Sequence, residues 1–304
     1  ESTSILAGIR KVAGEGIEVR YAKGCNTVDR GFPESEVVPL PLLEEENRAI
    51  AEAVKQAEGC DVIILALGED KNCVGESKSR TSLNLPGRQQ MLLEALHATG
   101  IPVVLVLVNG RPLTIEWADK NVAAILESWH PSVEGGNAIA RTLFGDYNPA
   151  GKLPVTFYKD DSQIPDFLNY EMKGRTYRFM EERPLFDFGF GLSYTTFEFG
   201  EPKYKKRGVS VKVTNTGKVD GEEVVQVYLR RPGDTGGPNK TLRAYKKVSV
   251  PAGKTIDIKI DLPRDSFEWW DTATNTMRVL SGEYEVMVGN SSRSEDLKTI
   301  TVKI

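Results

Sequence analysis

The sequence predicts an α/β domain, a doubly wound and mostly parallel sheet sandwiched by helices, followed by an all-β sandwich. Two observations carry this. In the first half, continuous apolar runs such as Val62-Ile63-Ile64-Leu65-Ala66-Leu67 alternate with stretches of helical spacing. In the last third the hydrophobic period shortens to two, with turn residues separating the runs.

Taken in order, Ser4 to Val12 reads as a short amphipathic helix and Ile17-Glu18-Val19-Arg20-Tyr21 as a strand. Glu44 to Gln56 carries Ile50, Ala51, Ala53 and Val54 at helical spacing behind an acidic first turn that suits the helix dipole. Asp61 to Leu67 follows as a buried strand. Pro86 to His97 is a second amphipathic helix, with Pro at its start and Gly100 just past its end. Pro102 to Val108 and Val122 to Glu127 are further strands, and Gly136 to Phe144 a further helix. This alternation is that of a parallel sheet covered on both faces.

Between about 145 and 195, Pro149, Pro154, Pro165 and Pro184 interrupt any regular element, while aromatics are dense. A disordered linker would be poor in aromatics, so this stretch is expected to be an extended strap packing its rings onto the domains it joins. Beyond it, Val209–Thr214, Val224–Leu229, Tyr245–Val250, Ile256–Leu262, Tyr284–Val288 and Thr299–Ile304 alternate apolar and polar residues. About seven short strands without a Cys-Trp-Cys pattern read as a sandwich of fibronectin type III kind. The expected domains are residues 1–155, the strap 156–195 and the sandwich 196–304.

The net charge is −4 with signs mixed, and no basic stripe tracks a phosphate backbone, so nucleic acid is not an expected partner. No apolar run approaches the roughly 20 residues needed to cross a bilayer. Cys25, Cys60 and Cys73 are scattered and odd in number, which argues against a disulfide framework or a zinc site; Cys60 is expected in the core. With only His97 and His130 available, neither in a metal-binding or nucleophile-elbow context, no metal or other cofactor is expected. The first residue is Glu1 and no signal peptide is present.

The most informative loop is Gly68-Glu69-Asp70-Lys71-Asn72-Cys73-Val74-Gly75-Glu76-Ser77-Lys78-Ser79-Arg80. It leaves the C-terminal end of a buried strand, the edge of an open α/β sheet where ligands and chemistry collect. A carboxyl group here can donate a proton once substrate shields it from water, and Glu76 is the candidate. Glu69 is the competitor, equally able to hold the loop through Arg80. Trp117, Trp129 and the pair Trp269-Trp270 could stack on sugars, but packing is the expected role of each.

That loop, with Thr81-Ser-Leu-Asn-Leu-Pro-Gly87, Val108-Asn-Gly-Arg-Pro-Leu113, Gly135-Gly-Asn-Ala-Ile-Ala140, Leu143-Phe-Gly-Asp-Tyr-Asn-Pro-Ala-Gly-Lys-Leu-Pro154 and Phe188-Gly-Phe-Gly-Leu-Ser-Tyr194, resembles the C-terminal portion of family 3 glycoside hydrolases. The resemblance implies a retaining, exo-acting β-glycosidase with two catalytic carboxylates. An aspartate nucleophile sits on an N-terminal (β/α)8 barrel, and a glutamate acid/base projects from the second domain. Glu76 matches that glutamate, whereas no barrel is recognisable in this sequence, and the opening helix reads as though the strand before it were missing. The expected function is therefore the C-terminal part of a β-glucosidase acting on β-linked glycosides, periplasmic or secreted, and inactive without the barrel. A β-xylosidase or exo-glucanase of the same family, or a non-catalytic carbohydrate-binding or structural module, is the alternative.

Overall fold

The apolar runs of the first half form a three-stranded parallel sheet in the computed structural model, which describes residues 2–304. The chain divides into two compact units, Glu1–Tyr147 with Phe157–Ile164, and Asn148–Thr156 with Pro165–Ile304.

In the first unit the elements run α1 (Ile5–Ala13), α2 (Glu44–Ala57), β1 (Ile63–Gly68), α3 (Gln89–His97), β2 (Val103–Val108), α4 (Glu116–Asn121), β3 (Ala124–Glu127) and α5 (Gly135–Leu143). The sheet order is β1-β2-β3, and Leu65, Leu105 and Ile125 stand side by side in its middle. β2 is central, and Val103, Leu105, Val106 and Leu107 are almost entirely buried, as two-sided cover requires. Leu92, Leu93 and Leu96 of α3 supply one covering layer. The crossovers β1-α3-β2 and β2-α4-β3 are the parallel units expected.

Two readings of this half are corrected and one element is added. Ile17–Tyr21 pairs with no strand and is not itself one. The second predicted helix begins at Gln89, not Pro86, because Gly87 has a φ of +62° and holds the chain outside helical geometry. The six residues of α4 escaped notice because so short a helix shows barely one turn of periodicity.

The second unit is antiparallel. After α6 (Thr176–Phe179) come β4 (Phe197–Phe199), β5 (Lys203–Lys205), β6 (Gly208–Asn215), β7 (Gly221–Arg230), β8 (Thr241–Val250), β9 (Thr255–Asp261), β10 (Glu268–Asp271), β11 (Thr276–Val279), β12 (Glu283–Gly289) and β13 (Leu297–Lys303). One sheet has the order β13-β12-β7-β8; another has β4-β6-β5 with β9 on β6; β10 and β11 form a separate ribbon. Alternate residues of the facing strands, among them Val211, Val213, Val225, Val227, Ile258 and Val286, make the shared core. These ten strands exceed the seven expected, because three- and four-residue strands carry too little alternation to be read.

β7 is buried on both faces, helped by a register shift at Val227/Tyr228. Gln226 donates to Gly189 O (3.0 Å) and Asn290 O (2.7 Å), and the Tyr228 hydroxyl donates to Gln226 Oε1. Tyr177 stacks on Phe188 and meets Tyr228 edge-on. That part of the aromatic stretch packs as expected, but Phe167 and Tyr170 do not: they are 83% and 84% exposed. Trp269 is buried with its indole N–H on Asp234, whereas Trp270 is half exposed.

Candidate functional site

The C-terminal edge of the parallel sheet gathers Glu69 after β1, Asn109 and Arg111 after β2, and Glu127 at the end of β3. Gly68 delivers the chain into the first loop at a φ of +135°, where a Cβ would lie 2.0 Å from Val108 O. Only glycine fits there.

Glu69 is buried to the last atom of its side chain and is surrounded by donors. Its Oε1 accepts from Arg111 Nη1 (2.6 Å) and Arg80 Nη1 (3.1 Å), and its Oε2 from the backbone N–H groups of Gly110 (3.1 Å) and Arg111 (3.3 Å). Burial alone would raise its pKa, but the Gly110 N–H, Arg111 and Arg80 together outweigh that and hold the carboxyl below the usual range. Glu69 is thus a fixed anion that fastens two arginines.

Those arginines define the loop. Arg111 Nη1 also donates to Cys73 O (2.9 Å) and its Nη2 to Lys78 O (2.7 Å), so one guanidinium grips both stems of residues 73–78. Arg80 pairs with Glu36 through its Nε (2.7 Å) and donates to Asn84 O (2.7 Å). Inside the grip, Lys78 N–H closes a turn onto Gly75 O, with Gly75 at φ +129° and Ser77 at +59°. Glu76 sits at the tip. It is exposed, and its carboxylate has no hydrogen-bond or ion-pair partner among the described residues. Beside the loop lies an open cleft of about 460 Å³ lined by Lys23, Asn26, Asp29, Arg30, Asp70 and Asn72.

Glu127 was not singled out in the sequence, where it ends an apolar run like any terminal charge. It accepts from Trp129 N–H (2.9 Å) and Asn109 Nδ2 (3.3 Å). Burial, helped by the nearby Glu69 charge, outweighs those bonds and pushes its pKa up to about 7. Asn109 Oδ1 is buried without a partner. Trp129 meets Phe157 edge-on and Trp117 meets His97 edge-on. Cys73, in the first stem of the loop, is fully buried, while Cys60 is only half-buried, contrary to expectation. All three thiols are free. Among the described residues no cluster of His, Cys, Asp and Glu is arranged to hold a metal ion, and no helix is long and apolar enough to cross a membrane.

Comparison with known proteins gives this geometry a setting. The glycosyl hydrolase family 3 C-terminal domain profile matches residues 1–194, and the fibronectin type III-like domain profile matches 223–292. A xylan 1,4-β-xylosidase of Xylanibacter ruminicola is 41% identical over 87% of this chain, which spans 32% of that protein. A periplasmic β-glucosidase of Salmonella typhimurium is 38% identical over 96% of the chain, spanning 41% of its own length. The solved structure of a β-glucosidase from Erythrobacter marinus superposes with a TM-score of 0.83 at 34% identity, covering 99% of this chain and 43% of that one. The chain thus spans less than half the length of the relatives it matches.

Proposed function

The chain belongs to glycoside hydrolase family 3, and from that premise we propose that it is the C-terminal part of a retaining β-glycosidase in which Glu76 is the general acid/base. The observation that carries this is the contrast between the two candidate carboxylates. Glu69 is buried, ionised and saturated with donors, and so has no proton to give. Glu76 stands unengaged at the tip of a loop whose stems are held from both sides.

A retaining enzyme places its two carboxyl groups roughly 5–5.5 Å apart, one to attack the anomeric carbon and one to protonate the leaving oxygen. In this proposal the nucleophile is an aspartate of a (β/α)8 barrel in the longer protein, brought up to the loop tip. Glu76 first gives its proton to the glycosidic oxygen, then takes one from the water that opens the glycosyl-enzyme. An acid working near neutrality needs burial or a neighbouring negative charge. The exposed tip leaves room for the barrel mouth to supply both. The substrate is proposed to be a β-glucoside, and a periplasmic or secreted location is supported by the similarity to the Salmonella enzyme. A β-xyloside substrate is the second reading, favoured by the similarity to the Xylanibacter xylosidase.

The test is leaving-group dependence in the longer protein carrying Glu76→Gln, measured on paired aryl β-glucosides and β-xylosides. With a poor leaving group, kcat/KM is expected to fall by roughly 10²–10⁴-fold. With dinitrophenolate, which needs no proton, the first step should hardly change. Equal losses across all leaving groups, or no loss, would remove Glu76 from this role.

A further inference from the structure

We propose that Arg178, Thr241 and Arg243 form a binding site for a small oxyanion, a phosphate- or carboxylate-bearing solute, at the start of β8 in the second unit. The first observation is where unsatisfied donors gather. Six buried side-chain nitrogen or oxygen atoms have no hydrogen-bond partner among the described residues, and three of them are Arg178 Nε, Thr241 Oγ1 and Arg243 Nε. Buried polar atoms are nearly always paired, so three in one neighbourhood mark a place that a ligand completes. The two Nε–H groups can only donate and the hydroxyl can donate as well, so the completing group is an acceptor.

The backbone brings the three together. β8 is the edge strand of its sheet. Thr241 pairs with Leu229 and Ala244 with Val227, both core residues, and Arg243 is the extra residue of the register shift between those pairs. A bulge of this kind re-aims a side chain. The Arg243 guanidinium lies over the ring of buried Trp269, 5.2 Å from its centroid. Thr241 and Arg243 therefore share the inner side of the sheet at its edge. Arg178 is fastened to the same edge: its carbonyl accepts from Asn239 N–H (2.6 Å), and the hydroxyl of the preceding Tyr177 accepts from Leu242 N–H (3.2 Å).

Charge identifies the ligand. Among the described residues neither guanidinium has a carboxylate partner. Arg243 Nη2 donates to Glu268 O (2.8 Å), and Arg178 stacks on the ring of Phe179 at 5.4 Å. Other arginines of this unit do take carboxylates, Arg293 with Asp187 and Arg278 with Asp271. Burial, and after it the Arg178 charge, hold the Arg243 pKa below its usual range, against the opposing influence of Tyr177, Glu268 and Tyr284. Arginine stays charged nonetheless, so two like charges face one another in half-buried surroundings, an arrangement that an anion between them relieves. Stacking on a ring fixes the plane of each guanidinium and leaves its N–H edge for the oxygens of a phosphate or carboxylate, whose geometry that fork matches.

This inference does not rest on the role given to Glu76. Isothermal titration of the longer native protein with inorganic phosphate, and separately with acetate, at fixed ionic strength tests it. At least one of the two should bind saturably, with a Kd of about 1 mM or tighter. Arg178→Met should weaken that binding at least about tenfold, and Arg178→Lys should recover only part of it, because an ammonium keeps the charge without the fork. Thr241→Val, which removes the hydroxyl and keeps the shape, should weaken it about threefold or more, and it carries the test if the arginine variant fails to fold. Tighter phosphate would name a phosphorylated solute and tighter acetate a carboxylate, and either supports the site. Heat that follows anion concentration without saturating, or saturable binding that Thr241→Val and Arg178→Met leave unchanged, would overturn the proposal.

Discussion

Glu127 is the residue whose titration the fold changes most usefully. Its carboxyl is raised from 4.5 to about 7, so the folded chain holds a proton that the unfolded chain has already released. Below about pH 4.5 both states are protonated and Glu127→Gln should leave stability unchanged. Between there and about pH 7 the wild type should lose roughly 3 kcal/mol relative to Glu127→Gln, and then level off. Urea unfolding of both proteins across that range reads the difference, and parallel curves would deny the shift. Arg111 allows a second check, because Cys73 is a buried stem residue of the loop it grips. Arg111→Met should speed alkylation of Cys73 by about tenfold or more, with Arg111→Lys restoring little, since a single ammonium cannot span both stems. An unchanged rate would mean the loop holds itself. The loop and both its glutamates were legible in the sequence because they follow an unmistakable buried strand. Their division of labour was not, because it depends on Arg111, 31 positions beyond Arg80 in the chain and brought back only by the parallel crossover.

At the scale of elements, long periodic segments were readable and short ones were not. α2, β1, β2 and β6 match their patterns because each has enough residues to repeat a period. α4, β4, β5, β10 and β11 do not, and tertiary pairing alone defines them. Ile17–Tyr21 shows the reverse case, a strand-like sequence left unpaired because strand formation needs a neighbour. Cys60, read as core, lies three residues past the end of α2, where burial is partial. Central burial sets the stability of the sheet: Leu105 is fully enclosed in β2, and Leu105→Ala should cost about 2–5 kcal/mol in denaturant unfolding. Less than about 1 kcal/mol would mean that the sheet relaxes around the loss.

For the whole molecule, the order of an α/β unit before a β-sandwich was legible from the change of hydrophobic period, and the family from the number and order of its motifs. Sugar identity was not, because Glu76 stands exposed at a loop tip and does not line the open polar cleft beside it. The account turns on Glu76 acting as acid/base, not as nucleophile or bystander. Azide rescue of Glu76→Ala in the longer protein, with a dinitrophenyl β-glycoside as substrate, tests that most directly. In a retaining enzyme stripped of its acid/base, azide attacks the glycosyl-enzyme from the face that water uses, so the product should be the β-glycosyl azide and the rate should recover. An α-glycosyl azide would make Glu76 the nucleophile, and the absence of any rescue would contradict its part in the chemistry.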